Sequence, residues 1–195
     1  MILPIFAYGC STLRQPCTDV QTNDSIVASL IDDMWETMYH ANGCGLAAPQ
    51  IGRNINLFIV DSRGTYEGLE ADQRQDFFDE NDKGLVETFV NANIVWRSGR
   101  VWTDDEGCLS IPGLVLPVTR SWSIKIEYSD QHFVKKSRFF DGLTARMIQH
   151  EFDHTRGILH TDYLNSLRKK LVKSKLKRVS KGLVKSAYPM HFSKR

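Results

Sequence analysis

A chain of 195 residues with a formal net charge of +2 suits one globular domain, because splitting it would leave two halves too small for stable cores. No apolar stretch is long enough to cross a bilayer, and the opening MILPIFAYG lacks the basic, apolar and small-residue regions of an export signal. The cysteines Cys10, Cys17, Cys44 and Cys108 follow no secreted-type spacing, so free thiols in a cytoplasmic, reducing compartment are expected, with no membrane partner.

The first predicted element is a helix after Asp24 and Ser25, with Ile26, Leu30, Met34 and Met38 on one face and a stop at Asn42 and Gly43. Gly43 to Gln50, GCGLAAPQ, is small enough in its side chains to let backbone pass close to a ligand. Apolar, β-branched runs over Asn54 to Asp61, Glu87 to Trp96, Val115 to Thr119 and Ser123 to Tyr128 predict strands. The acidic, aliphatic-poor stretch Tyr66 to Gly84 between the first two reads as a surface insertion. Asp141 is placed to cap a second helix with Leu143, Met147, His150 and His154 along one stripe, and Gly157 offers its stop.

A third helix is expected from about Asn165, with Leu167, Leu171, Leu176, Val179 and Leu183 spaced for partial packing. Residues 168–195 hold 11 of the 25 Lys and Arg and no Asp or Glu, which leaves 14 basic against 23 acidic residues before them. Such a tail either faces a polyanion or is a solvated helix, and both readings stand. The expected division is therefore a body over 1–164 and a basic helix and tail over 165–195.

His150-Glu151-Phe152-Asp153-His154 is an HExxH on a predicted helix. That spacing aims two imidazoles at one ion and sets a carboxylate one position round, within reach of a water beside it. A catalytic ion normally takes a third protein ligand and keeps a position open. Two residues compete for that place. His160 completes HExxHxxGxxH, the pattern of a metzincin-like zinc endopeptidase, although the only later methionine, Met190, lies in the basic tail rather than in a recognisable turn. Cys108, in Glu106-Gly107-Cys108-Leu109-Ser110, lies in a small-residue turn where a thiolate can approach a helix. A third reading, an RNA-binding module with a structural zinc, fits the basic tail, but such sites are closed by four protein ligands and have no use for the base at Glu151.

GCGLAAPQ, EGCLS and QHEFDH, in this order and separation, resemble the three motifs of the peptide deformylases, and the resemblance runs from about Pro4 through Leu13-Arg14 to about Leu164. It implies an α+β fold, antiparallel or mixed sheets around a central metal-binding helix with a C-terminal helix following, and removal of the formyl group from the N-terminal formylmethionine of new polypeptides. Carried over by position, it implies Cys108, His150 and His154 as metal ligands and Glu151 as acid and base. Gln50 and the Leu109 N–H match the groups that polarise the formyl oxygen. Gly45 matches a backbone contact to substrate, and Gly43, Cys44, Leu143, Arg146 and Met147 match the methionine pocket. The implied cofactor is one divalent ion, Fe2+ in the cell, while a Cys/His2 set also suits Zn2+, Ni2+ or Co2+ by softness. With such a substrate, the basic tail is expected to dock on ribosomal RNA. Thr155, His160 and Val115 depart from the family pattern, the last standing where many members carry an arginine.

Overall fold

The computed structural model describes residues 1–21 and 26–193, so the cap expected at Asp24 and Ser25 lies outside the described residues. Helix α1 spans Ile26–His40. Its buried stripe is Val27, Ile31, Met34 and Met38, at i, i+4, i+7 and i+11; Met34 and Met38 are the expected residues, while the expected Leu30 is half-buried. It packs on strands β2 (Gly45–Ala47) and β3 (Leu57–Asp61), whose Leu46, Leu57 and Ile59 share its core cluster.

Strands β2 and β3 begin an antiparallel sheet that continues through β4 (Val86–Arg97), β7 (Ser123–Ser129) and β8 (Lys135–Asp141), in the order β2-β3-β4-β7-β8. A separate antiparallel pair joins β5 (Val101–Glu106) to β6 (Leu116–Ser121). The four expected strands are present. Those without an apolar run, β2, β5 and β8, escape the pattern because they are short or alternate charged residues outward, as VWTDDE does. The insertion after β3 carries two short helices, α2 (Arg63–Gly68) and α3 (Ala71–Phe77), neither with a buried residue.

Helix α4, Gly142–Thr155, runs through the middle of the molecule, and twelve of its residues are buried. Ala145, Ile148 and Phe152 pack on the sheet with Phe58, Phe89 and Ile126. The opposite side faces a cleft toward β5 and β6, so this helix is buried all round rather than amphipathic toward solvent. Asp141 does stand at the N-cap, although its side chain makes no cap bond. The stop falls at Gly157, where φ is +73° and a Cβ would lie 2.7 Å from the Arg14 carbonyl oxygen, so only glycine fits.

Residues 165–193 fold back on the body. Helix α5, Ser166–Ser180, is capped by the Asn165 side chain accepting from the Arg168 N–H at 2.9 Å. Of the expected apolar spacing, only Leu176 and Val179 are buried, against Ala7, Ile111 and Leu164; Leu167, Leu171 and Leu183 stay exposed. The chain then turns, and β9 (Met190–His191) pairs parallel with β1 (Ile5–Phe6). The segment around Met190, which the sequence places in the basic tail, is therefore paired with the N-terminal strand. Among the described residues no helix is long and apolar enough to cross a membrane.

Candidate metal centre and active site

The i, i+4 spacing puts His150 and His154 on the same side of α4, with ring centroids 5.1 Å apart. The turn after β5 brings Cys108 over them, its Sγ 3.2 Å from His154 Nε2. One ligand atom from each of Cys108, His150 and His154 lies within 4.8 Å of the others, and among the described residues this is the one such group of three or more. His160 is buried nearby, its ring centroid 5.8 Å from that of His150, but it does not belong to the group. The metzincin pattern is thus met in sequence and not in space: the chain turns at Gly157, and His160 enters a short 3-10 turn behind the first histidine. Burial and the proximity of His150 push the His160 imidazole down to about 4, so it is neutral near pH 7, and both its ring nitrogens lack a partner among the described residues.

The three groups suit a metal ion. His150 Nδ1 lies 2.9 Å from Glu106 Oε2. A carboxylate can only accept there, so Nδ1 holds the proton and Nε2 is left as the coordinating atom. The donor set of two imidazoles and one thiolate is one that divalent transition metals accept. Without an ion, burial alone would lower His150, yet its hydrogen bonds to Cys108 and Glu106 outweigh this and hold it well above the ordinary value. Burial and the charge of His150 push His154 well below.

Glu106, which the sequence reading left without a role, anchors this arrangement. Its carboxylate accepts from Arg120 Nε at 2.6 Å and Nη2 at 2.9 Å, from Arg146 Nη1 at 2.6 Å and from His150. Arg120 also donates to Asp153 at 2.8 Å, which accepts in turn from the Tyr163 hydroxyl at 2.8 Å. Burial alone would raise Glu106, but its hydrogen bonds from His150 and Arg120 outweigh this and hold it far below the usual carboxylate range. Nothing in the sequence spacing joins Glu106 to Arg120 and Arg146; the β5–β6 pairing and the crossing of α4 do so.

A cavity of about 440 Å³ opens beside the group, in the range of small-ligand sites. Apart from His154, every residue expected in the site lines it: Gly43, Cys44, Gly45, Gln50, Cys108, Leu109, Leu143, Arg146, Met147, His150 and Glu151. Arg146 meets the expectation only in part, because its guanidinium is committed to Glu106 and to the Val118 and Trp102 carbonyls. What it offers a ligand is its apolar stem. At Gly45 a Cβ would lie 2.4 Å from Glu151 Oε1, so only glycine lets the carboxyl sit against the backbone there.

Glu151 is buried, and its Oε2 has no partner among the described residues. Burial pushes its carboxyl up to about 7 against the pull of His150 and Arg120, the range in which a group exchanges protons readily near neutral pH. Gln50 Oε1 accepts from the Ala47 N–H at 2.8 Å, which turns Nε2 toward Cys108 Sγ at 3.7 Å and Ser110 Oγ at 3.2 Å. The Leu109 N–H donates to no acceptor among the described residues. The Tyr188 hydroxyl, from the far end of the chain, donates to the Leu109 carbonyl at 2.7 Å.

A buried HExxH helix with a facing thiol, a near-neutral carboxyl and a lined cavity defines the protein as a metal-dependent hydrolase. The profile of the family described as polypeptide deformylase matches residues 2–170. The chain is 44% identical to the peptide deformylase of Flavobacterium johnsoniae over 195 residues, covering 99% of this chain and 97% of that one. It is 40% identical to that of Salinibacter ruber, covering 97% and 94%. The crystal structure of a peptide deformylase from Legionella pneumophila superposes with a TM-score of 0.78 at 32% identity, covering 94% of this chain and 98% of that one. Arabidopsis thaliana peptide deformylase 1B, in complex with an inhibitor, gives 0.78 at 30% identity, covering 93% and 92%. The chain belongs to the peptide deformylase family.

Proposed function

We propose that the cavity takes the formylated N-terminus of a newly made polypeptide in the cytoplasm, and that Cys108, His150 and His154 hold one divalent ion, Fe2+ in the cell, beside it. A bound ion of this kind lowers the pKa of a water from about 16 to about 7, so that a nucleophile exists at neutral pH. Glu151, one helical position from His150, accepts the proton from the attacking water. The new bond forms between that oxygen and the formyl carbon. Gln50 Nε2 and the Leu109 N–H donate to the formyl oxygen as negative charge develops on it. Glu151 then returns the proton to the amine nitrogen as the carbon–nitrogen bond breaks, leaving formate and a free N-terminus. Gly45 presents backbone to the substrate. Gly43, Cys44, Leu143, Met147 and the Arg146 stem form the apolar side that receives the methionine.

The observation that carries this reading is the buried Glu151 carboxyl, its Oε2 without a partner among the described residues, set in one cavity with the Gln50 amide and the Leu109 N–H and with a Cys/His/His group beside it. The test is formate release from formyl-Met peptides by metal-loaded protein. Glu151→Gln is expected to lower kcat about a hundred- to ten-thousandfold with metal content retained. Gln50→Ala is expected to lower it about a hundred- to a thousandfold. Normal turnover by either variant overturns that residue's role.

The exposure of Lys169, Lys170, Lys173 and Lys177 on α5 supports the expected docking on ribosomal RNA. Lys169→Glu, Lys170→Glu and Lys173→Glu together should abolish co-sedimentation with ribosomes at low salt. Unchanged binding sinks the docking and leaves the hydrolase untouched.

A further inference from the structure

The lining of the cavity also includes Lys185, Ser186, Ala187 and Tyr188, none of which belongs to a motif. This stretch is held at both ends. On its N-terminal side the Leu183 N–H donates to the Arg178 carbonyl at 2.9 Å and Val184 packs into the α5 cluster. On its C-terminal side the Ile5 N–H donates to the Pro189 carbonyl at 2.9 Å and β9 pairs with β1. A strap tied in this way is a fixed wall rather than a loose end. The Tyr188 ring packs against the α1 core cluster while its hydroxyl holds the Leu109 carbonyl.

Apart from Glu151, the carboxylates and basic side chains that line the cavity divide into two kinds. Glu106 and Arg146 are buried and neutralise each other. Asp105 and Lys185 are exposed and form no ion pair among the described residues. Lys185 is thus the uncommitted cation of the lining among those residues. It also lines a shallow groove that shares Pro112 and Gly113 with the cavity and runs along Leu171, Ser174 and Lys175 of α5. It therefore stands where a peptide whose first residue fills the cavity would leave it. Val115, which also lines the cavity, is 58% exposed and offers no polar group.

We propose that the strap over 185–188 is part of the substrate site, with Lys185 donating to backbone carbonyls of the peptide beyond its first residue and Tyr188 a positioning residue for the Leu109 peptide. This rests on the deformylase reading of the cavity. A flexible ammonium at an exposed lip can follow a backbone of any sequence, which suits an enzyme that must accept many second and third residues. The Tyr188 hydroxyl fixes the carbonyl of Leu109, and through that residue steadies its N–H.

The experiment compares formylmethionine with formyl-Met-Ala-Ser in metal-loaded full-length protein. Lys185→Met should raise KM for the tripeptide about tenfold, the worth of one hydrogen bond to a charged group, with kcat kept. KM for formylmethionine should not move, and Lys185→Arg should behave as the parent. Adding Val115→Lys to Lys185→Met should recover the tripeptide KM, since it returns a cation to the lining of the same cavity. Tyr188→Phe should lower kcat for both substrates with KM held and an unchanged melting temperature. Equal KM in the parent and Lys185→Met, or an equal rise for both substrates, overturns the assignment of Lys185. Unaltered kcat in Tyr188→Phe overturns that of Tyr188. Parent protein that releases formate from neither substrate overturns the deformylase reading itself, so the two failures are told apart.

Discussion

The two walls of the active-site cleft are built on different principles. The inner wall, α4 with the turn after β5, is built on a buried helix, and its charges other than Glu151 are bound in a set of partners around Glu106 and Arg120. The outer wall, the strap over 185–188, alternates exposed and half-buried residues and is tied down mainly by backbone bonds at its ends. The inner wall keeps three ligand atoms and a carboxyl in one geometry. The outer wall has only to keep a surface in place. Chemistry that depends on tenths of an ångström is thus housed where packing allows no movement, and contact with a variable peptide is left to a rim that tolerates it.

The sharpest way to break this contrast is to remove the anchor of the inner wall. Glu106→Ala leaves two buried guanidiniums and His150 without their carboxylate, and should cost about 3 to 5 kcal/mol in denaturant unfolding. As the contrasting case, Arg14 Nη2 donates to Asp162 at 3.1 Å on the surface, and Arg14→Ala should cost less than about 1 kcal/mol. Similar losses in the two variants would mean that the buried set is not what holds the helix.

A second test separates ligand from neighbour inside that wall. Cys108→Ala should lose the bound ion in metal analysis, whereas His160→Ala should keep one per chain, because His160 stands outside the ligand group. Loss of the ion in both would reopen the His160 reading.

A smaller effect concerns pH. His150 is held well above its ordinary value, so near neutral pH the empty protein carries a proton that the ion must expel. Apparent affinity for Ni2+ or Zn2+ should therefore rise with pH, by up to about tenfold per unit for each proton released. Affinity independent of pH between 6 and 8 would contradict it. The smallest effect is on the surface pair. Burial would raise Asp162, but the hydrogen bond from Arg14 outweighs it and lowers the carboxyl. Its contribution is complete above the unfolded value near 4 and fades as pH falls further. Arg14→Ala should therefore lose its deficit in melting temperature under acid.

Much of the inner wall was legible beforehand because its parts are local. HExxH on a helix needs only the helical period, and GCGLAAPQ and EGCLS are contiguous runs whose small residues announce close approach. The strands with apolar runs were legible for the same reason. β5 and β8 were not, because Thr103 and Asp105 of the one and Lys135, Ser137 and Arg138 of the other are exposed, without an apolar run to betray them. In α1 Met34 and Met38 are buried as expected, and Ile31 rather than the adjacent Leu30 completes the stripe, since both are apolar and only packing chooses between them.

Taken alone, the order of residues was enough to determine the central helix, the pair of histidines, the carboxyl beside them and the family, since all rest on short-range periodicity and contiguous motifs. Only the tertiary structure set Cys108 beside the two histidines with His160 outside the group, gathered Glu106, Arg120 and Arg146 into one set, and brought Lys185 and Tyr188 to the cavity. Those choices join positions from 14 to 79 residues apart, and the free energy that selects them comes from burial and long-range pairing, which no local pattern records.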